Sequence, residues 1–127
     1  QTRHVALLCG DARHLALRAS ALDAVLAVFT LEVLDRPGIM RALAECQRVL
    51  RPGGRIVVAA LSERGNHSFL GRLYGAARAR YPLWLNCRPI RADALLVRAG
   101  YDLVDVASTT AWGLAVDVVL ARSPAPR

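Results

Sequence analysis

The stretches Val5-Ala-Leu-Leu-Cys-Gly-Asp-Ala12 and Arg48-Val-Leu-Arg-Pro-Gly-Gly-Arg-Ile-Val-Val-Ala-Ala60 decide the reading of this chain. In the first, a continuous apolar run from Val5 to Cys9 ends at Gly10-Asp11, the pattern of a buried strand entering a turn. In the second, Pro52-Gly53-Gly54 stops a helix and Arg55 to Leu61 follows as a further apolar run. Between them lies Ala24 to Phe29, also apolar without alternation and entered by Asp23. Such runs suit strands covered on both faces, as in parallel sheets. Asp35 and Pro37 carry helix-start signals. Ile39, Leu43, Cys46 and Leu50 follow at helical spacing and define one apolar face. Arg48 and Arg51 near the end of that helix complement its dipole. Strand, helix, strand in this order is a βαβ unit.

Downstream, Phe69, Leu70, Leu73, Tyr74 and Ala77 outline a helix face that Pro82 ends. Ile90 to Ala99 predicts another helix, closed by Gly100. Tyr101 to Ala107 and Trp112 to Ala121 predict two strands. The link Ser108 to Ala111 is short enough for a hairpin, so the pair is expected to be antiparallel. The Ser-Pro-Ala-Pro-Arg tail is expected to fray.

The chain has 127 residues, 54% of them hydrophobic, enough for one domain with a real core. All 17 basic residues are arginine, against 10 acids, giving a formal net charge of +7. An arginine-for-lysine bias of this kind follows from a GC-rich coding sequence. The alternative is an anionic partner, but the arginines show no recognition-helix or RNA-binding pattern, so no nucleic-acid partner is expected. Cys9, Cys46 and Cys87 are odd in number and lack CxxC spacing, which argues against a disulfide framework or a zinc site and fits a reducing cytoplasm. Asp23 and Glu32 interrupt the longest apolar candidate for a membrane span, so no membrane partner is expected.

Three motifs in order carry a resemblance: Gly10-Asp11-Ala12-Arg-His-Leu15-Ala-Leu17, Leu22-Asp23-Ala-Val25, and Arg48-Val-Leu-Arg-Pro-Gly-Gly54. With the elements between and after them, they make residues 5–121 similar to the class I S-adenosylmethionine (SAM) dependent methyltransferases related to the ubiquinone/menaquinone-biosynthesis C-methyltransferases. The sequence departs from the family pattern at Ala16, usually Pro, at Leu22, usually Phe, and at Val33, where His is common. The resemblance implies an α/β fold: an incomplete Rossmann-like methyltransferase sheet of parallel strands plus a C-terminal antiparallel hairpin. It implies SAM as cofactor and methyl transfer to a small molecule as function. Asp11 would accept a hydrogen bond from the adenine amino group, Ala12 would face the ring edge, and Leu15 would pack on the ring. Phe29, Thr30 and Leu31 would line the methionine end and the substrate entrance. On residue type alone Phe29 reads as core and Asp11 as the cap of a turn. Asp23 and Pro52-Gly53-Gly54 read as structural; the latter follows a helix and precedes a strand, the wrong order for a phosphate loop.

Residues 63–91 occupy the place where such enzymes build a substrate lid. They carry Arg64, Arg72, Arg78, Arg80, Arg88 and Arg91 with Tyr74, Tyr81 and Trp84 interleaved. Arg72, Tyr74, Arg78 and Trp84 are therefore candidates for holding an anionic or aromatic substrate; a solvated basic helix face is the competing reading. His4, His14 and His67 read as surface or packing residues, and no general base stands out.

The family's glycine-rich cofactor loop and ribose-binding acid precede the first motif and are not in this sequence. In the family's sheet order, 3-2-1-4-5-7-6, the chain starts at the third strand. The strand at 5–9 is then without neighbours, and the strand at 24–29 becomes an apolar edge. The expectation is a single methyltransferase-like domain over residues 1–127 that forms a homodimer or pairs with a separately supplied N-terminal half. A non-catalytic, partner-binding or dimerising relic of the fold is the alternative.

Overall fold

The computed structural model describes residues 4–62, 89–111 and 113–124. Four strands form one sheet in the order β1-β2-β4-β3. The strands are β1 (Leu22–Val28), β2 (Leu50–Leu61), β3 (Asp102–Ala111) and β4 (Leu114–Arg122), with helices α1 (Arg36–Val49) and α2 (Ala92–Arg98). β1 and β2 are parallel, joined through α1 as the βαβ reading requires. β4 is antiparallel to both β2 and β3. This is the partial Rossmann-like sheet with a C-terminal hairpin that the sequence predicts.

α1 begins where its residues say it should. The Asp35 carboxylate accepts from the Gly38 amide at 2.8 Å, satisfying one of the four orphan donors of the first turn. Ile39, Ala42 and Leu43 point into the core. Gly53 takes φ +76°, and a side chain at Gly54 would meet the Arg51 carbonyl oxygen at 2.8 Å. The Pro52-Gly53-Gly54 segment is thus a bulge inside β2, which pairs with β1 at Leu50 and again from Arg55 onward. α2 closes through two bonds, Gly100 N–H to the Val97 carbonyl and Tyr101 N–H to the Leu96 carbonyl, both 3.0 Å. That is the Schellman arrangement, with Gly100 as its left-handed residue. The Tyr101 hydroxyl then donates to the Leu43 carbonyl at 2.7 Å and ties α2 to α1.

The core lies on one face of the sheet. Ile56, Val58, Val119 and Ala121 share that face by register and pack with Ile39, Leu43, Leu95 and Leu96. The other face is poorly covered: Leu26 and Val28 are 69% and 48% exposed. Their partners Val57 and Ala59 are half-buried. Unalternating apolar runs predicted two covered faces; only one is fully covered here.

Two sequence expectations are corrected. Residues 4–10 adopt no regular structure, and Val5, Leu7 and Leu8 are exposed. A lone strand has no ladder to satisfy its backbone, and β1 does not recruit this one. Ser108 to Ala111 is not the hairpin link but the end of β3. Its β-branched Thr109 and Thr110 suit a strand, Ser108 donates to Asp117 across the pair at 2.9 Å, and the turn lies beyond the Ala111–Leu114 pair, with Gly113 at φ +75°.

Candidate functional site

In open α/β sheets ligands sit beyond the carboxyl ends of the strands, where β1 and β2 here end at Val28 and Leu61. Phe29 leaves β1 at φ +49°, a left-handed conformation uncommon for a bulky residue. Its amide donates to the Ala59 carbonyl at 2.8 Å, which pins that conformation against β2. Phe29 is 38% exposed, so the reading of it as core is corrected: the left-handed turn swings its side chain outward. Thr30 is also exposed, and its hydroxyl donates to the Val28 carbonyl at 3.1 Å. Leu31 is buried in the core, leaving its backbone as the part available to a ligand.

Asp11 opens a turn closed by the His14 amide bonding to its carbonyl at 2.9 Å. Its carboxylate caps the turn through the Arg13 amide at 2.9 Å, the role residue type alone suggests. Arg13 adds bonds from Nε and from one terminal nitrogen at 2.7–3.2 Å. The hydrogen bonds from Arg13 hold the Asp11 carboxyl well below the usual carboxylate range. Asp11 is therefore an exposed acceptor held in its ionised form at neutral pH, and because Arg13 makes four contacts to its two oxygens, a ligand amine would replace one of them. Ala12 and Leu15 are half-buried, and Ala12 packs against the core cluster.

Two acids with structural roles were not singled out by spacing or motif. Glu32, in the 3-10 turn Leu31–Val33, is 1% exposed. One oxygen accepts from the Leu61 amide at 3.2 Å; the other, Oε1, has no partner among the described residues. It bridges the carboxyl ends of β1 and β2, and an acid following the apolar run was the only signal for it. Burial pushes its carboxyl up. A raised value means stability is greatest below the unfolded pKa and is lost as pH rises through the folded one. Glu32→Gln keeps an acceptor for Leu61 and has no proton to lose. Urea unfolding from pH 4 to pH 8 is expected to show wild-type stability declining with pH and a flatter curve for the variant. Parallel curves would refute the buried-charge account. The second acid, Glu45, accepts from the Leu15 amide at 2.8 Å and pairs with Arg48.

Asp23 pairs with Arg51 at the exposed entry to β1, away from the ligand edge. Arg72, Tyr74, Arg78 and Trp84 lie outside the described residues, as does His67. The two ends of their segment do lie within them. Ser62 bridges to Ile90, whose amide donates to the Leu61 carbonyl at 2.9 Å, so the described residues on either side of that segment meet at the carboxyl end of β2. No described helix is long and apolar enough to cross a membrane.

Comparison with known proteins agrees with this architecture. A family model described as a methyltransferase domain matches residues 1–58, which hold Asp11, Ala12, Leu15, Phe29, Thr30 and Leu31. No curated protein sequence matches. Among solved structures, a SAM-dependent methyltransferase from Methanosarcina mazei superposes with a TM-score of 0.72 at 15% identity, over 92% of this chain and 66% of that one. A SAM-dependent methyltransferase from Thermotoga maritima, described as a possible histamine N-methyltransferase, gives 0.69 at 25% identity, over 94% and 64%. The 1,6-didemethyltoxoflavin-N1-methyltransferase of Burkholderia thailandensis, solved with S-adenosylhomocysteine, gives 0.66 at 19%, over 89% and 48%. The chain thus spans just under two thirds of the first two and about half of the third. Its fold is that of the class I methyltransferases. The family match and these neighbours support the class I methyltransferase fold for this chain.

Proposed function

We propose that this chain is the C-terminal portion of a SAM-dependent methyltransferase of the ubiquinone/menaquinone-biosynthesis type, acting on a small molecule in the cytoplasm. The observation that carries the reading is the methyltransferase-domain match over residues 1–58, where every proposed cofactor residue lies. The residues present fit the adenine half of the cofactor: Asp11 is an ionised, accessible acceptor suited to an exocyclic amine, with Ala12 and Leu15 as apolar neighbours. Phe29 and Thr30 stand at the end of β1 toward the methionine half. When bound, the cofactor supplies a methyl group on a sulfonium that leaves as a neutral thioether. The chain's part is to orient the acceptor and exclude water. Arg72, Tyr74, Arg78 and Trp84, in an insertion that starts and ends at the carboxyl end of β2, would hold an anionic or aromatic acceptor. The glycine-rich loop and the ribose-binding acid would come from an N-terminal segment or another chain.

A second reading, a partner-binding or dimerising module without catalysis, is favoured by the exposed apolar residues of 4–10 and β1. Calorimetry separates the two. The enzyme reading expects S-adenosylhomocysteine to bind, and Asp11→Ala to weaken it about 10- to 100-fold, the scale of one hydrogen bond to a charged group. No heat with the wild type would favour the second reading or a cofactor site completed by a separate N-terminal half, and an unchanged variant would remove Asp11 from the site.

A further inference from the structure

The turn that carries Asp11 is held from below by a pair of side chains on α1. Arg48 uses four N–H groups at once. Two go to the Glu45 carboxylate, from Nε at 2.8 Å and from a terminal nitrogen at 2.9 Å. Two go to backbone carbonyls, Leu17 at 2.9 Å and Leu15 at 3.0 Å. Glu45 completes the circuit by accepting from the Leu15 amide at 2.8 Å. Just beyond, the amides of Ser20 and Ala21 donate to the carbonyls of Arg48 and Val49 at 2.9 and 2.8 Å. Residues 15–17 belong to no strand, yet three of their backbone groups are satisfied by α1 side chains rather than by a ladder.

An ordinary surface pair three residues apart on a helix does little, and a helix-end arginine needs only the dipole. Neither accounts for a guanidinium spread over two carbonyls and a carboxylate. The planar fork of arginine makes this arrangement possible; a lysine ammonium cannot span it. The contrast along the chain is informative. Residues 4–10 have no such anchor among the described residues and lie exposed, whereas from Leu15 onward the backbone is fastened to α1.

We propose that Glu45 and Arg48 are positioning residues for the cofactor, fixing the backbone of Leu15 and so the placement of Asp11 and Ala12. This rests on the reading of residues 11–15 as the adenine side. The Arg48 guanidinium lowers the Glu45 carboxyl to about 2, so the pair stays charged down to strongly acid pH.

The test combines hydrogen exchange with binding of two ligands, S-adenosylhomocysteine and S-inosylhomocysteine, whose base carries a carbonyl in place of the adenine amine. In Arg48→Ala, Arg48→Lys and Glu45→Gln, the Leu15 amide is expected to exchange at least roughly tenfold faster while the Ile56 and Val119 amides keep their protection. S-adenosylhomocysteine affinity is expected to fall roughly tenfold or more, as misplacement of a contact group does. The preference for it over S-inosylhomocysteine is expected to shrink, which a merely global destabilisation would not produce. Wild-type binding with variants unchanged in affinity and preference would overturn the clamp alone. Unchanged Leu15 exchange would also overturn it. A wild type that binds neither ligand would overturn both the proposed function and the clamp's cofactor role, leaving the exchange result to report whether the contacts form.

Discussion

Leu43→Ala is expected to cost about 3–5 kcal/mol, the upper part of the range for truncating a buried leucine. Leu43 is fully buried and belongs to the cluster joining α1 with Ile56, Val58 and Leu96. Its carbonyl also receives the Tyr101 hydroxyl, so the site is pinned from α2 and has little room to collapse onto the cavity. Against a typical domain stability of about 5–15 kcal/mol, this loss leaves a chain close to unfolding and lowers Tm by roughly 10–20 °C. Val97→Ala, on the exposed side of α2, is the control and is expected to stay within about 0.5 kcal/mol. Thermal and urea unfolding measure both. A cost below about 1 kcal/mol at Leu43 would mean that α1 does not pack on the sheet as described.

The second large effect concerns association. β1 is the last strand of the sheet, its outer edge pairs with nothing among the described residues, and Leu26 and Val28 stand exposed on it. An apolar edge of this kind templates pairing with another chain, and Lys on an edge strand is a common way of preventing it. The wild-type chain is therefore expected to self-associate at micromolar concentration. Leu26→Lys is expected to shift it to monomer by light scattering, at little cost in stability because the side chain it replaces is already in water. A wild-type chain that remains monomeric at high concentration would remove the edge as an interface. An association that survives Leu26→Lys would place the contact elsewhere.

Much of the fold was legible because its signals are local. Asp35, Pro37 and the helical spacing of Ile39, Leu43 and Cys46 locate α1, and the observed helix runs from Arg36 to Val49. Gly100 closes α2 as expected, although that helix is shorter than Ile90 to Ala99. What was not legible depends on neighbours. Val5 to Cys9 has the composition of a strand, but a strand exists only with a partner, and among the described residues it has none. The hairpin turn was displaced because Ser-Thr-Thr looks like a link, while Gly113 sits in the tighter turn between the paired Ala111 and Leu114.

The site was legible as a motif and not as a mechanism of support. Asp11 and Ala12 stand out by resemblance. Arg48 also stands in a motif, but spacing suggests only a dipole contact, and its reach to Leu15 and Leu17 spans more than thirty residues of sequence. Glu32 offers only its place after an apolar run; its interest comes from burial, which a single sequence does not display.

The most direct test of the central claim, that residues 11–15 and 29–31 form the cofactor side of a methyltransferase, is an amide NMR titration with S-adenosylhomocysteine. The account predicts saturable shifts at Asp11, Ala12 and Leu15, with smaller ones at Phe29, Thr30 and Leu31, and none along the β3–β4 hairpin. Unmoved amides at residues 11–15 with millimolar ligand, or shifts confined to the hairpin, would contradict it.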